Sequence, residues 1–390
     1  MRSTLRPRLV STEMVKSGIT SPKLPLTGCD ILTTHASIPL FYVYPQGLDI
    51  ALLRKSLREA ATVHRMITGR MQRLEDGRDW LVGNDAGVAL KVWDCEGPLP
   101  DYGPHHPVHR DASRMATRPM PWQVIHQQKP LLTFEVFRFA DGAMVLSMVG
   151  VHTLVDAATM WSFLVDWSRL ARGLDVVGPV VERDVLFDLM QTLADCPETR
   201  HVMEAPSRPR QLGIYARLGV QLLQNQVGVY RVPAATIEGW RQAMPEGITG
   251  GDRLTAADLV STHVLKLMSE VQGHDHDRTV GLVSDLRYRK GLGLPPRLVG
   301  NALGQEAVDY TAAELSSQGE AQLALKLKQP GAMHNLEEVK GYLGMLERRR
   351  RDKTLGALMP RAVIQSTQGG YLQNNYNHLP IYQVDLGTGE

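Results

Sequence analysis

Hydrophobic and polar positions change period sharply near the middle of the chain. Residues 143–151 (AMVLSMVGV) are almost unbroken apolar and rich in Val and Met. A run this short and this apolar predicts a strand covered on both faces. Beyond it the spacing becomes helical, through Ala158, Trp161, Leu164, Val165, Ser168 and Ala171, with Asp166 and Arg169 on the other side. Upstream, Phe134 to Phe139 pairs naturally with the apolar run across Ala140-Asp141-Gly142, since Asp-Gly is a hairpin signal. Extended structure is expected over residues 30–45, ended by Pro45, and over the short stretches 66–74 and 80–93. Leu48, Leu52, Leu53, Leu57, Ala60 and Ala61 mark a helix between them. A helical piece at 185–193 precedes the proline-bearing segment 204–210, and Val232 to Ala243 reads as helix. Thr255-Ala-Ala-Asp258 has the form of a capping box opening another helix, with Val260, Val264, Leu267, Met268 and Val271 as its apolar stripe.

Strand and helix patterns in alternation predict an α/β protein, and 390 residues exceed one ordinary core. The expected division is 1–175, a crossover at 176–228, and 229–390. A net charge of +2 provides no chain-wide field to recruit nucleic acid or membrane. Cys29, Cys95 and Cys196 are odd in number and lack CxxC spacing, which argues against a disulfide framework or a cysteine-rich zinc site and for a reducing compartment. The basic N-terminus has no apolar core, and no apolar run reaches the roughly 18 residues of a membrane span. A cytoplasmic chain is therefore expected. Histidines cluster at 105–109 and at His274-Asp275-His276-Asp277, but both stretches read as loops rather than metal sites. Arg348 to Arg351 reads as a solvated helical face, or as an anion contact should the ligand be phosphorylated.

The junction between central strand and helix is His152-Thr-Leu-Val-Asp156. A histidine leaving a buried strand, with a carboxylate at a helix entrance, is a place for proton transfer. Both residues also have structural readings: Asp156 as an N-cap, His152 as a hydrogen-bonded core histidine.

Several further segments stand in order along the chain. Leu24-Pro-Leu-Thr-Gly-Cys-Asp30 and Thr68-Gly-Arg70 precede the junction; Val283-Ser-Asp-Leu-Arg287-Tyr-Arg289, Pro295-Pro296 and Gly300-Asn301 follow it; Leu379-Pro-Ile-Tyr-Gln-Val-Asp385-Leu-Gly387-Thr-Gly389 comes near the end. Together with HxxxD they resemble the BAHD family of acyl-CoA-dependent acyltransferases, over nearly the whole chain. Departures are Ala157 in place of the usual glycine after the aspartate, and Leu386 and Thr388 in place of the Phe and Trp of DFGWG. The sequence ends at Glu390, several tens of residues before family members usually do, so it reads as a compact version or a truncated one.

The resemblance implies two chloramphenicol-acetyltransferase-like α/β domains, with mixed sheets flanked by helices and a channel between them. It implies His152 as general base and Asp156 as the partner of Arg287, with Asp385, Gly387 and Gly389 in a structural loop. Counting back from Asp385, Asn374 and Tyr376 occupy positions that face the catalytic histidine in the family, and both still carry a hydrogen-bond donor. Their structural reading is a turn residue and a core aromatic. The implied partners are an acyl-CoA co-substrate and a small-molecule acceptor, with no permanently bound cofactor, no metal, and a monomeric chain. Two alternatives stay open: a carrier-protein-dependent condensation enzyme, and a cyclase or binding protein that keeps the fold without acyl transfer.

Overall fold

The computed structural model describes residues 5–103, 111–196, 202–224, 228–244, 254–273, 276–328, 336–366 and 369–387. In the first half, β1 (Pro7–Val15), β2 (Ser21–Pro25), α1 (Gly28–Leu32) and β3 (Ser37–Tyr44) lead into α2 (Ile50–Val63). Next come β4 (Arg70–Arg73), β5 (Asp79–Gly83), β6 (Val88–Cys95), α3 (Ala112–Met115) and α4 (Pro121–Ile125). The hairpin β7 (Leu132–Arg138) and β8 (Met144–Val151) then feeds α5 (Ala157–Ala171). The middle stretch carries α6 (Asp184–Leu193), β9 (Met203–Glu204), α7 (Arg208–Gln224) and α8 (Ala234–Gln242). After α9 (Ala256–Gln272) follow β10 (Arg278–Asp285), β11 (Leu303–Tyr310), α10 (Ala312–Ser317), α11 (Glu320–Lys328) and α12 (Leu336–Arg351). The last elements are β12 (Met359–Pro360), α13 (Arg361–Ile364) and β13 (Tyr371–Gln373).

Five strands form the main sheet in the order β1-β6-β7-β8-β3, with only the β6–β7 pair parallel. A second sheet, β11-β10-β13, pairs β10 antiparallel to β11 and parallel to β13. Helices α2 and α5 cover the main sheet, and Phe134, Phe163 and Trp167 pack ring on ring between them and β7. A second core gathers Leu186, Met190 and Leu193 of α6 against Val339, Tyr342, Leu343 and Leu346 of α12. The two halves interlock: Val384 and Leu386 from the end of the chain complete the first core.

Several local expectations are revised. Residues 30–32 are helical rather than extended, because Thr27 and Asp30 form a buried capping box at the start of α1. In α9 the capping box is present, yet Leu259, Thr262, Leu265 and Ser269 face inward while Val264, Leu267 and Val271 are exposed. Asp166 is buried rather than solvated, because His64 and Arg297 come to meet it. The arginine run is not a solvated face: Arg348 caps the carbonyls of Ala194 and Cys196, and Arg350 pairs with the buried Glu347. The expected 105–109 loop and Gly389 lie outside the described residues, as do His274 and Asp275. Among the described residues no group of three or more His, Cys, Asp or Glu side chains could hold a metal. No described helix is long and apolar enough to cross a membrane.

Candidate active site

The site begins where β8 ends. Its side chains are buried from Val145 onward, as the apolar run requires, because β7 and β3 flank it and hydrophobic clusters pack on both its faces. The backbone N–H of His152 donates to the carbonyl of Ala36 at 3.0 Å, a last rung beyond the Ser37–Val151 pair. The chain then turns, and Asp156 caps α5 by accepting the Thr159 N–H at 2.9 Å. The half-buried imidazole of His152 thus sits at a fixed strand end, between two elements that cannot slide.

Asn301 fixes the ring's protonation geometry. Its side-chain N–H groups donate to the carbonyls of His152 and, at 3.2 Å, Thr153. Those two acceptors define which end of the amide is nitrogen, so the oxygen faces His152 Nδ1 at 2.9 Å. Nδ1 must then carry the hydrogen and donate it, leaving the lone pair on Nε2. Asn301 is itself buried, and its backbone N–H donates to Asp30 Oδ1 at 3.1 Å.

Two buried ion pairs hold this arrangement. Arg287 Nη1 donates to Asp156 Oδ2 at 2.8 Å, and the same oxygen accepts the Ala302 N–H at 3.1 Å. Arg287 also reaches Asp285, Leu298 O, Thr159 Oγ1 and Gly300 O, so its guanidinium stitches the second half to the junction. Burial alone would push the Asp156 carboxyl up, but Arg287 and two backbone donors hold it below the usual carboxylate value. Asp156 is fully engaged in this way. In the second pair, Arg183 clasps Asp30 at 3.0–3.1 Å from both terminal nitrogens, and Thr27 donates to Asp30 through both N–H and hydroxyl. Gly300 lies against this pair with φ +95°, and a Cβ there would sit 2.8 Å from the Arg183 guanidinium carbon. Only glycine fits that turn without strain.

Of the residues singled out in the sequence, His152, Asp156 and Arg287 meet in one network. Asn374 and Tyr376 follow β13; both are exposed, their side chains touch one another, and the Tyr376 ring packs 5.7 Å from that of Trp161 on α5. Asp385 is bound through its backbone, its N–H and C=O both meeting Ser168 Oγ of α5 at 2.8–2.9 Å. Gly387, at φ +97°, closes the turn that donates its N–H to Asp385 Oδ1.

Sequence reasoning quoted Asn301 and Asp30 as motif letters but gave them no role. It passed over His35, which lies within electrostatic reach of His152; burial holds its pKa below the ordinary value, opposed by Leu32 and aided by His152. The pair His64–Asp166, at 2.8 Å, was also missed. The available signal was the Gly300-Asn301 dipeptide itself, because a polar residue after an obligatory glycine in a buried turn needs partners.

A mixed two-domain α/β fold with a histidine at a strand end, its Nδ1 turned to a buried asparagine amide, is that of a chloramphenicol-acetyltransferase-like acyltransferase. Comparison with known proteins agrees. The sequence pattern of the Transferase family matches residues 9–390, and the chain belongs to that family, the BAHD acyltransferases. Shikimate O-hydroxycinnamoyltransferase of Nicotiana tabacum is 23% identical over 96% of this chain and 87% of its own length. Putrescine hydroxycinnamoyltransferase 3 of Oryza sativa subsp. japonica is 22% identical over 94% of this chain and 82% of its own. Among solved structures, F. sporotrichioides TRI101 complexed with coenzyme A and T-2 superposes with a TM-score of 0.65 at 13% identity, over 95% of this chain and 86% of that one. Vinorine synthase gives 0.57 at 16% identity, over 83% and 75%.

Proposed function

We propose that this enzyme moves an acyl group from an acyl-CoA thioester to a hydroxyl or amine of a small-molecule acceptor, with His152 as general base. The observation that carries the reading is the Asn301 amide, whose orientation leaves the lone pair on Nε2. Nε2 takes the acceptor's proton as the acceptor oxygen or nitrogen attacks the thioester carbonyl carbon. The resulting tetrahedral oxyanion collapses, the C–S bond breaks, and the imidazolium returns its proton to the departing coenzyme A sulfur. No acyl-enzyme is formed. Asp156 acts through position: tied to Arg287, it holds the turn that presents His152 and does not touch substrate.

The relatives named above act on hydroxycinnamoyl groups, one on shikimate and one on putrescine. They support a small polar acceptor carrying a nucleophilic oxygen or nitrogen. In the same reading Asn374 and Tyr376 donate to the oxyanion, a role typically contributing about 3–4 kcal/mol. Tyr376 packs on Trp161, which lies one turn into the helix that Asp156 caps.

The experiment is a panel of acyl-CoA donors, with an acyl-carrier-protein donor beside them, against hydroxyl and amine acceptors. His152→Ala is expected to cut turnover by about 10²–10⁴-fold with the fold intact. Asn374→Ala or Tyr376→Phe is expected to lower kcat by about 10–10³-fold with acyl-CoA binding unchanged. Near-parental turnover by folded His152→Ala overturns the base assignment. Full kcat in both other variants moves the oxyanion donors elsewhere.

A further inference from the structure

Helix α7 (Arg208–Gln224) carries apolar residues on its outward side as well as its inward one. A surface helix ordinarily buries its apolar stripe and exposes its polar one. Here Ile214 points inward at 2% exposure, and Gln211 and Gln221 tie the helix to Ala357 and Ser366. At 3.6 residues per turn, Leu212, Tyr215, Ala216, Gly219 and Val220 fall on the side opposite Ile214. Leu212 is 73% exposed, and Tyr215 and Val220 are each 53% exposed. Shortly after the helix, Val229 and Tyr230 are exposed at 45% and 89%.

The charge along this stretch of the chain is one-sided. Residues 205–237 contain Arg208, Arg210, Arg217 and Arg231 and no Asp or Glu. Arg210 is paired with Glu204 at 3.3 Å, whereas Arg208, Arg217 and Arg231 are all exposed. The chain-wide charge of +2 conceals this local excess.

We infer that the outer face of α7 docks on the surface of an anionic lipid bilayer. The helix lies along the interface rather than crossing it, its leucine, valine and tyrosine side chains entering the headgroup boundary. Tyrosine suits that boundary because its ring is apolar and its hydroxyl stays wet. The flanking arginines extend their stems along the apolar face and keep their guanidinium groups among lipid phosphates. A symmetric dimer through the same face would set arginines of both copies against each other, so charge complementarity favours the anionic surface over a second copy.

The test is flotation of the full chain with phosphatidylcholine vesicles, with and without phosphatidylserine. The protein should float with the phosphatidylserine vesicles, stay behind with phosphatidylcholine alone, and be released by high salt. Arg208→Glu and Arg217→Glu should each weaken binding about fivefold or more. The double variant Leu212→Asp, Tyr215→Asp should abolish flotation while circular dichroism and thermal unfolding stay unchanged, since both side chains already face outward. Failure of the parent chain to float with either vesicle overturns the inference, as does undiminished flotation of the variants. Light scattering supplies the third outcome: a parental dimer that Leu212→Asp converts to monomer makes the face an interface between copies, and the bilayer reading falls.

Discussion

Replacing Asn301 with alanine removes three side-chain hydrogen bonds at once. The losses are the acceptor of His152 Nδ1–H at 2.9 Å and the donors to the His152 and Thr153 carbonyls. The His152 carbonyl keeps a contact from Thr33 Oγ1 at 3.3 Å. A buried polar group left without its donor costs about 1–3 kcal/mol, so the variant should fold with a lowered midpoint. The effect on rate follows from the ring. Freed of Asn301, the imidazole can carry its hydrogen on Nε2, where it cannot accept the acceptor's proton. A positioned base contributes about 10²–10⁴-fold, and part of the population keeps the productive tautomer, so kcat/KM should fall by about 10–10³-fold. Asn301→Asp separates the two halves of the argument: it keeps an acceptor for Nδ1–H but removes both donors and adds a charge near the buried Asp30. It should be less stable than the alanine variant yet more active. The assay is thioester cleavage under saturating acyl-CoA, paired with ¹⁵N NMR of the His152 ring, which distinguishes the tautomers. A folded Asn301→Ala enzyme with parental kcat/KM and unchanged ring nitrogen shifts would refute the reasoning.

Further outcomes follow from the braces around the site. Asp156→Ala leaves Arg287 buried without its main partner and should cost about 3–5 kcal/mol together with activity. Adding Arg287→Met should restore part of that stability, and unchanged thermal unfolding in the single variant would show that the pair is not holding the junction. Gly300→Ala forces a Cβ into a left-handed turn and against Arg183, so urea unfolding should show a loss of more than about 1 kcal/mol; an unchanged midpoint would mean the turn relaxes. Burial holds His64 below its ordinary pKa, against the opposing pull of Asp166. As pH falls the unfolded chain therefore takes that proton first. Stability is full above about pH 6.5 and is lost as pH falls through the lower folded value. Urea midpoints for His64→Gln should be flatter over that window, with His35, also held down by burial, contributing a remaining slope of the same sign. An unaltered slope would remove His64 from the acid response.

What was legible in the sequence is what local pattern controls. The apolar run 143–151 became β8 because a fully covered strand tolerates few polar positions, and Asp156 became an N-cap because the helix behind it needs an acceptor. The Asp141-Gly142 hairpin and the Thr255–Asp258 capping box are likewise local chemistry. Partnerships across long separations were invisible to periodicity. Asp166 looked solvated because its partner Arg297 lies 131 residues away. The run 348–351 looked solvated because its acceptors, the ends of α6, are about as far along the chain. In α9 several apolar positions face outward, and nothing within the helix records that Thr262 and Ser269 join Leu259 and Leu265 on the buried face. For the site, HxxxD marked His152, but the setting of its ring depends on an asparagine from the other half of the chain.

The docking of the chain's last described residues on α5 has a consequence for the order in which the protein matures on the ribosome. Ser168 is bound to the backbone of Asp385, 217 residues further on, and Val384 and Leu386 fill the core beneath α5. At about 5–20 residues per second of synthesis, roughly 10–40 s separate the emergence of the two partners. During that interval the N-terminal half carries an unfinished apolar seam along α5. A nascent chain therefore completes the core along α5 only once residues 384–386 are made, and chaperones that shelter apolar surface have a defined window and a defined helix to guard.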